Sequence, residues 1–160
     1  MVSTLNKKIN SSYIDLENEL KKNISGEVRF DEITKNMYST DASIYSMEPI
    51  GVVLPHTNED VSNIIKIAYK NNVSILPRGG GTGLSGQTVN HSIVIDFSKY
   101  MHNILDIDPE EQWVKTQPGI TIDQLNTNLR KYNLFFTPDP STTSRANVGG
   151  ALGNNSCGAH

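Results

Sequence analysis

The chain has 160 residues, of which 14 are Lys or Arg and 17 are Asp or Glu, giving a formal net charge of −3. That length suits one domain able to bury a core, and a near balance of charge without a basic stripe argues against nucleic acid as a partner. The single cysteine, Cys157, excludes an intrachain disulfide and a cysteine metal cage.

The N-terminal stretch "MVSTLNKKINSSYIDLENELKKNISG" is mixed and charged, without the apolar core of a signal peptide. No apolar run is long enough to form a transmembrane segment. The sequence reads as cytoplasmic, with any membrane association arising through partners, and the sequon at Asn72-Val73-Ser74 is then idle. Leu5, Ile9, Tyr13, Leu16 and Leu20 recur at three- and four-residue steps and predict an amphipathic helix over residues 5–24, ended by Gly26. "EVRF" reads as a short strand, and Asp31 to Glu48 as irregular or short helical turns.

From there the pattern becomes regular. "IGVVLP" predicts a buried strand and "TNEDVSNIIKIAYKNN" a helix. Thr57 or Asn58 can cap that helix, Glu59 and Asp60 suit its positive end, and Val61, Ile64, Ile65 and Ala68 are expected to face inward. "VSILP" is the next strand, which makes a β-α-β unit with parallel strands and a right-handed crossover. "SIVIDF" follows as a further strand. "ILDIDPEEQWVKTQPG" reads as a hairpin turning at Asp108 to Glu111, with Ile104, Ile107, Trp113 and Val114 in its strands and Trp113 as core. "TIDQLNTNLRKYN" is a second amphipathic helix, with Thr121 as its candidate cap and Ile122, Leu125 and Leu129 on one face. The remainder, "LFFTPDPSTTSRANVGGALGNNSCGAH", reads mostly as loop. The expected class is α+β: a small parallel β-α-β layer, then the start of a mixed or antiparallel sheet with helices. A glycine- and asparagine-rich ending without a closing element suggests a piece of a longer protein.

The stretch "ILPRGGGTGLSGQTVN" puts five glycines into the eight positions from Gly79 to Gly86. Gly81, Gly83 and Gly86 have the G-x-G-x-x-G spacing of a dinucleotide turn, but that turn needs a helix opening at its third glycine. Here Gly86 leads through "QTVNHSIVIDF" into a strand. A triphosphate loop needs Gly-Lys-Ser/Thr, and the sequence offers Gly86-Gln87-Thr88. What survives is a nest of backbone amides able to close on an anion without a helix. Thr82 and Ser85 add hydroxyls and Arg78 a charge. The second glycine-rich segment, with Gly149, Gly150, Gly153 and Gly158, would let two loops grip two parts of one long ligand, so an extended dinucleotide fits better than a simple phosphate.

These stretches, "YSTDASIYSMEPIGVVLP", "PRGGGTGLSG", "QPGITIDQL" and "PDPSTTSRANVGGALGNNSCGAH", resemble the PCMH-type FAD-binding domain of the vanillyl-alcohol oxidase / p-cresol methylhydroxylase superfamily. Within it they look most like FAD-linked D-2-hydroxyacid dehydrogenases of the glycolate oxidase / D-lactate dehydrogenase type. "SRANVGG" and "GNNSCGAH" are most similar to long members that carry a C-terminal iron–sulfur portion. The resemblance runs from about Tyr38 to His160 with the motifs in family order.

It implies that Arg78, Gly79, Gly80, Gly81, Thr82, Gly83, Leu84 and Ser85 bind the FAD pyrophosphate. Pro138, Asp139, Ser141, Ser144, Gly149 and Gly150 would line the flavin and ribityl chain, and Asn154, Asn155, Ser156 and Gly158 would continue that wall. It also implies residues 1–30 as a lead-in and 31–160 as the N-terminal portion of the FAD-binding domain. The parent would oxidise a small D-2-hydroxyacid by hydride transfer to flavin. The catalytic groups would lie in the rest of its own polypeptide, leaving this portion alone inactive. The loop from Gly79 to Gly86 has no histidine, so the FAD is expected to be dissociable rather than tethered. A self-contained nucleotide- or phosphate-binding module without catalysis is the alternative.

Other tempting residues read as structural. Cys157 and His160 lack an orienting third group, and His56, His91 and His102 lack metal-ligand spacing. Asp41 reads as a loop-capping carboxylate. Asp106 mimics a ribose-binding acid but belongs to the hairpin of a failed motif.

Overall fold

The computed structural model describes the backbone of residues 2–158 and the side chains of residues 13–158. Helix α1 spans Val2–Asn23, strand β1 Glu27–Arg29, helix α2 Glu32–Tyr38 and strand β2 Gly51–Leu54. Helix α3 spans Asn58–Lys70, strand β3 Ile75–Arg78 and strand β4 Ile93–Asp96. Strands β5 (Ile104–Asp108) and β6 (Trp113–Thr116) form a hairpin, followed by α4 (Ile122–Leu129), a 3-10 turn at Arg130–Tyr132 and α5 (Val148–Gly153).

The first layer is a four-stranded sheet in the order β1-β2-β4-β3. β1 runs antiparallel to β2, while β2 and β3 both run parallel to β4. The expected β-α-β unit is therefore present with one strand inserted: β4 sits between β2 and β3, opposing Val94 to both Val52 and Leu76. β2 and β4 are buried along their whole length, which is why they read as unbroken apolar runs rather than alternating ones.

One face of the sheet packs on α1 and α3 through Leu16, Leu20, Val53, Ile64, Ile67, Ala68, Ile93 and Ile95. The side chains of Leu5 and Ile9 lie outside the described residues. The other face gathers Val52, Leu54 and Val94 with Tyr38, Leu76 and Tyr100. Thr57 caps α3 in a reciprocal box with Asp60. The Asp60 carboxylate also accepts from Ser25 N–H and His56 N–H, so the end of α1, the end of β2 and the start of α3 meet on one buried acid.

The second layer is the β5-β6 hairpin against α4, with Ile120, Leu125, Leu129 and Val148 at its centre and Ile104, Ile107, Val114, Leu134 and Phe136 around them. Thr121 and Gln124 form the capping box of α4.

Two expectations are corrected. Ile65 is 46% exposed; Asp60, Ile64, Ile67 and Ala68 form the buried stripe of α3 at helical spacing, and Ile65 falls off its edge. Trp113 is also 46% exposed, because the alternation along β6 turns Val114 and Thr116 inward and Trp113 outward. The glycine-rich C-terminal segment is mostly loop, as expected, with one short helix within it. That helix is α5, whose Val148 and Ala151, three residues apart, reach the core while Gly150 and Gly153 face open space.

Candidate anion-binding cleft

The glycine loop leaves the end of β3 and returns to β4 without an intervening helix, as the motif test required. Its glycines answer to different constraints. A Cβ on Gly79 would lie 2.3 Å from Asn147 Oδ1, and one on Gly80 2.2 Å from the Arg145 carbonyl oxygen, so these two are bare to admit residues 145–147. Gly81 and Gly86 have φ of +64° and +77°, a backbone region that favours glycine. Gly86 also lies against the Tyr45 ring.

Arg78 is the strut of the loop. Its guanidinium donates to the carbonyls of Tyr38 (3.0 Å), Thr88 (3.0 Å) and Thr40 (2.7 Å) and lies 5.2 Å from the centre of the Tyr38 ring. Burial lowers its pKa from the usual guanidinium value. The Tyr38 hydroxyl in turn donates to Asp96 at 2.5 Å, and burial together with that carboxylate pushes the phenol upward. Asp41 ties the far end, accepting from Ser43 N–H and from the hydroxyl and N–H of Thr88. Burial opposes its ionisation, but donation from Ser43 and Thr88 outweighs this and holds it below the usual carboxylate range.

Between these anchors the loop points its donors at nothing. The N–H groups of Gly81, Thr82, Gly83 and Leu84 have no acceptor among the described residues, and neither Thr82 nor Ser85 uses its hydroxyl. Gly81 is buried. Buried backbone donors are nearly always satisfied, so the unused N–H of buried Gly81, at the head of a run of amides that opens to solvent at Leu84, fits an anionic group.

The second glycine-rich segment forms the opposite wall. Gly80 N–H donates to Asn147 Oδ1, and Gln87 Nε2 donates to Asn154 Oδ1 at 2.8 Å, so the loop is fastened near both ends of α5. Gly149 N–H donates to the Pro118 carbonyl, and its bare Cα faces Pro118. Gly150 and Gly153 face open space. Gly158 comes against the Asp139 backbone. Pro138 is half-buried at the start of this wall, while Ser141 and Ser144 lie on its exposed run. Asn155 adopts φ of +48° just after α5, and Ser156 N–H returns to Ala151 O. An open cleft of about 260 Å³ runs beside Gly80, Gly119, Ser144, Arg145 and Asn147, with Ser98 and His102 behind.

Asn147, Gln87 and Arg145 were not among the sequence-derived candidates. Asn147 holds the N-cap position of α5 but makes no side-chain capping bond; its amide is spent on Gly80 and Gly119, distant partners that no local pattern signals. No group of three or more candidate metal ligands occurs among the described residues. Cys157 is exposed and free, and His160 lies outside the described residues. His56 stacks edge-on against Tyr100, and His91 and His102 bond the carbonyls of Glu48 and Ser98.

A sequence model of the FAD binding domain family matches residues 49–160. The chain is 40% identical over 136 residues to the D-2-hydroxyglutarate dehydrogenase of Pseudomonas putida, covering 83% of this chain and 14% of that protein. It is 36% identical over 141 residues to the glycolate oxidase subunit GlcD of Bacillus subtilis, covering 84% of this chain and 30% of that protein. Among solved structures, alkyldihydroxyacetonephosphate synthase matches with a TM-score of 0.82 at 26% identity, over 91% of this chain and 30% of that one. The chain spans less than a third of the length of each of these relatives.

Proposed function

Because the chain belongs to the FAD binding domain family, we propose that it holds the FAD of a longer flavin-dependent dehydrogenase that oxidises a D-2-hydroxyacid. The observation that carries the reading is the run of unused amides from Gly81 to Leu84, in a loop fastened through Gly80 and Gln87 to Asn147 and Asn154 at the two ends of α5. Those amides, with the hydroxyls of Thr82 and Ser85, would take the pyrophosphate, while Arg78, Gly79 and Gly80 shape the loop that presents them. Pro138, Asp139, Ser141, Ser144, Gly149, Gly150, Asn154, Asn155, Ser156 and Gly158 would line the flavin and ribityl chain. We place the FAD-binding domain at residues 31–160, with residues 1–30 as a lead-in.

When bound, FAD supplies a two-electron acceptor for the hydride leaving the α-carbon of the hydroxyacid. The protein groups that bind the hydroxyacid and remove its hydroxyl proton are assigned to the additional length that the relatives possess. The iron–sulfur portion belongs to the same part of the proposal. D-2-hydroxyglutarate is the first substrate to try, since a relative of that name is 40% identical. No helix among the described residues is long and apolar enough to cross a membrane, and we place the protein in the cytoplasm.

The test is the absorption spectrum after adding FAD and desalting, on this chain and on a polypeptide of the relatives' length. Flavin bands retained at stoichiometric level support the reading, and loss of colour from both overturns it. Bleaching of the longer protein's flavin by D-2-hydroxyglutarate, but not by its L enantiomer, tests the substrate class.

A further inference from the structure

We propose that Arg145, not Arg78, is the cation that meets the phosphates of the bound dinucleotide; the assignment rests on the flavin reading above. Arg78 is the obvious candidate by sequence, yet its guanidinium is committed to three backbone carbonyls and half-buried beneath the Tyr38 contact. Turning it toward a ligand would orphan those carbonyls.

Arg145 has the opposite character. Its side chain is exposed and makes no hydrogen bond or ion pair with any described residue, although it lines the cleft beside Gly80 and Ser144. The backbone beneath it is fixed. Its N–H donates to Thr142 O at 2.8 Å, its carbonyl is packed against Gly80, and the two following residues, Ala146 and Asn147, are buried. The root of this guanidinium is therefore locked against the residue that precedes the four unused amides. Among the described residues no carboxylate lines the cleft to neutralise it. A planar guanidinium matches phosphate oxygens through paired hydrogen bonds, and the unused amides that follow Gly80 would supply the remaining donors.

The experiment measures flavin fluorescence quenching on the wild-type chain and on Arg145→Gln, Arg145→Lys and Arg78→Lys. FAD and riboflavin are titrated separately, inorganic pyrophosphate serves as competitor, and a melting temperature is recorded for each variant. Arg145→Gln should weaken FAD about tenfold or more, make inorganic pyrophosphate a poorer competitor and leave the melting temperature unchanged. Arg145→Lys should recover part of the affinity. FAD affinity unchanged in Arg145→Gln overturns the assignment. So does an equal loss for riboflavin, which has no phosphate and would move Arg145 to the flavin ring.

Should the wild-type chain take up no FAD, the flavin reading fails by itself, and calorimetry with inorganic pyrophosphate decides for Arg145. Binding heat present in wild type and absent in Arg145→Gln sustains the phosphate assignment; no heat in wild type overturns it.

Discussion

Asn147 Oδ1 accepts a hydrogen bond from the backbone N–H of Gly80 at 2.5 Å, across 67 residues of sequence. The same side chain donates through Nδ2 to the Gly119 carbonyl at 2.5 Å and is almost wholly buried. One amide thus sets the spacing of three turns, the glycine loop, the turn before α4 and the start of α5. Removing it strands two backbone groups, each costing roughly 1–3 kcal/mol. Asn147→Ala should lower the unfolding free energy by about 2–4 kcal/mol in urea titrations. Asn147→Asp keeps the acceptor but opposes a carboxylate to the Gly119 carbonyl, and should be little better at neutral pH. Wild-type stability in both variants would show that the link carries no weight.

Arg78 predicts a stability effect of its own. A lysine offers a compact ammonium in place of a rigid fork and cannot reach the carbonyls of Tyr38, Thr40 and Thr88 together. Arg78→Lys should cost about 1–3 kcal/mol of unfolding free energy. An undiminished denaturation midpoint would mean that the loop base is held by Asp41 and Tyr38 alone.

Much of this fold is legible where local signals agree with tertiary burial. Thr57 and Thr121 are caps by chemistry and by structure, and the apolar runs of β2 and β4 are buried strands. The glycine loop is legible because so many bare positions between two strands cost conformational entropy without a ligand or a tight contact to offset it. What the sequence did not disclose depends on distant partners. Ile65 and Ile67 are equally apolar, and only the phase of α3 against α1 chooses between them. Trp113 reads as core by size, but the hairpin register sends it outward. Arg78 and Arg145 are indistinguishable as charges until the carbonyls of Tyr38, Thr40 and Thr88 are found on one guanidinium and no bonding partner among the described residues on the other.

The acid limb of stability should carry the signature of Glu27. Hydrogen bonds from Lys99, Tyr100 and Arg29 lower its pKa from the ordinary 4.5 to about 2. A depressed folded-state pKa contributes stability that is complete above the unfolded value and lost as pH falls through the folded one. The gap in melting temperature between wild type and Glu27→Gln should therefore be full at about pH 5 and close toward pH 2. It should also shrink in high salt, because these contacts lie at the surface. A gap independent of pH would remove Glu27 from the account.

The cofactor should be releasable. No histidine lies between Gly79 and Gly86 to form a covalent tether. Acid precipitation of the loaded protein should leave all of the flavin in the supernatant, and flavin absorbance in the washed pellet would contradict this.

Gly149 and Gly150, neighbours on α5, should respond in opposite ways. A Cβ on Gly149 would lie 2.6 Å from Pro118 Cβ and 3.0 Å from its carbonyl oxygen, so Gly149→Ala must displace the turn before α4. It should destabilise the fold by about 1–3 kcal/mol. A Cβ on Gly150 would meet nothing within 4 Å. The fold gains nothing from glycine there, and alanine should raise helix stability by up to about 1 kcal/mol. If Gly150 is bare so that a flavin can lie close to the helix, Gly150→Ala should melt no lower than wild type yet bind FAD about tenfold more weakly, with valine worse than alanine. The two substitutions together separate packing from ligand contact, because one moves the melting temperature and the other the dissociation constant. Gly150→Val binding FAD like wild type would take this face of α5 off the flavin and leave the Gly81–Leu84 amides as the remaining support for the site.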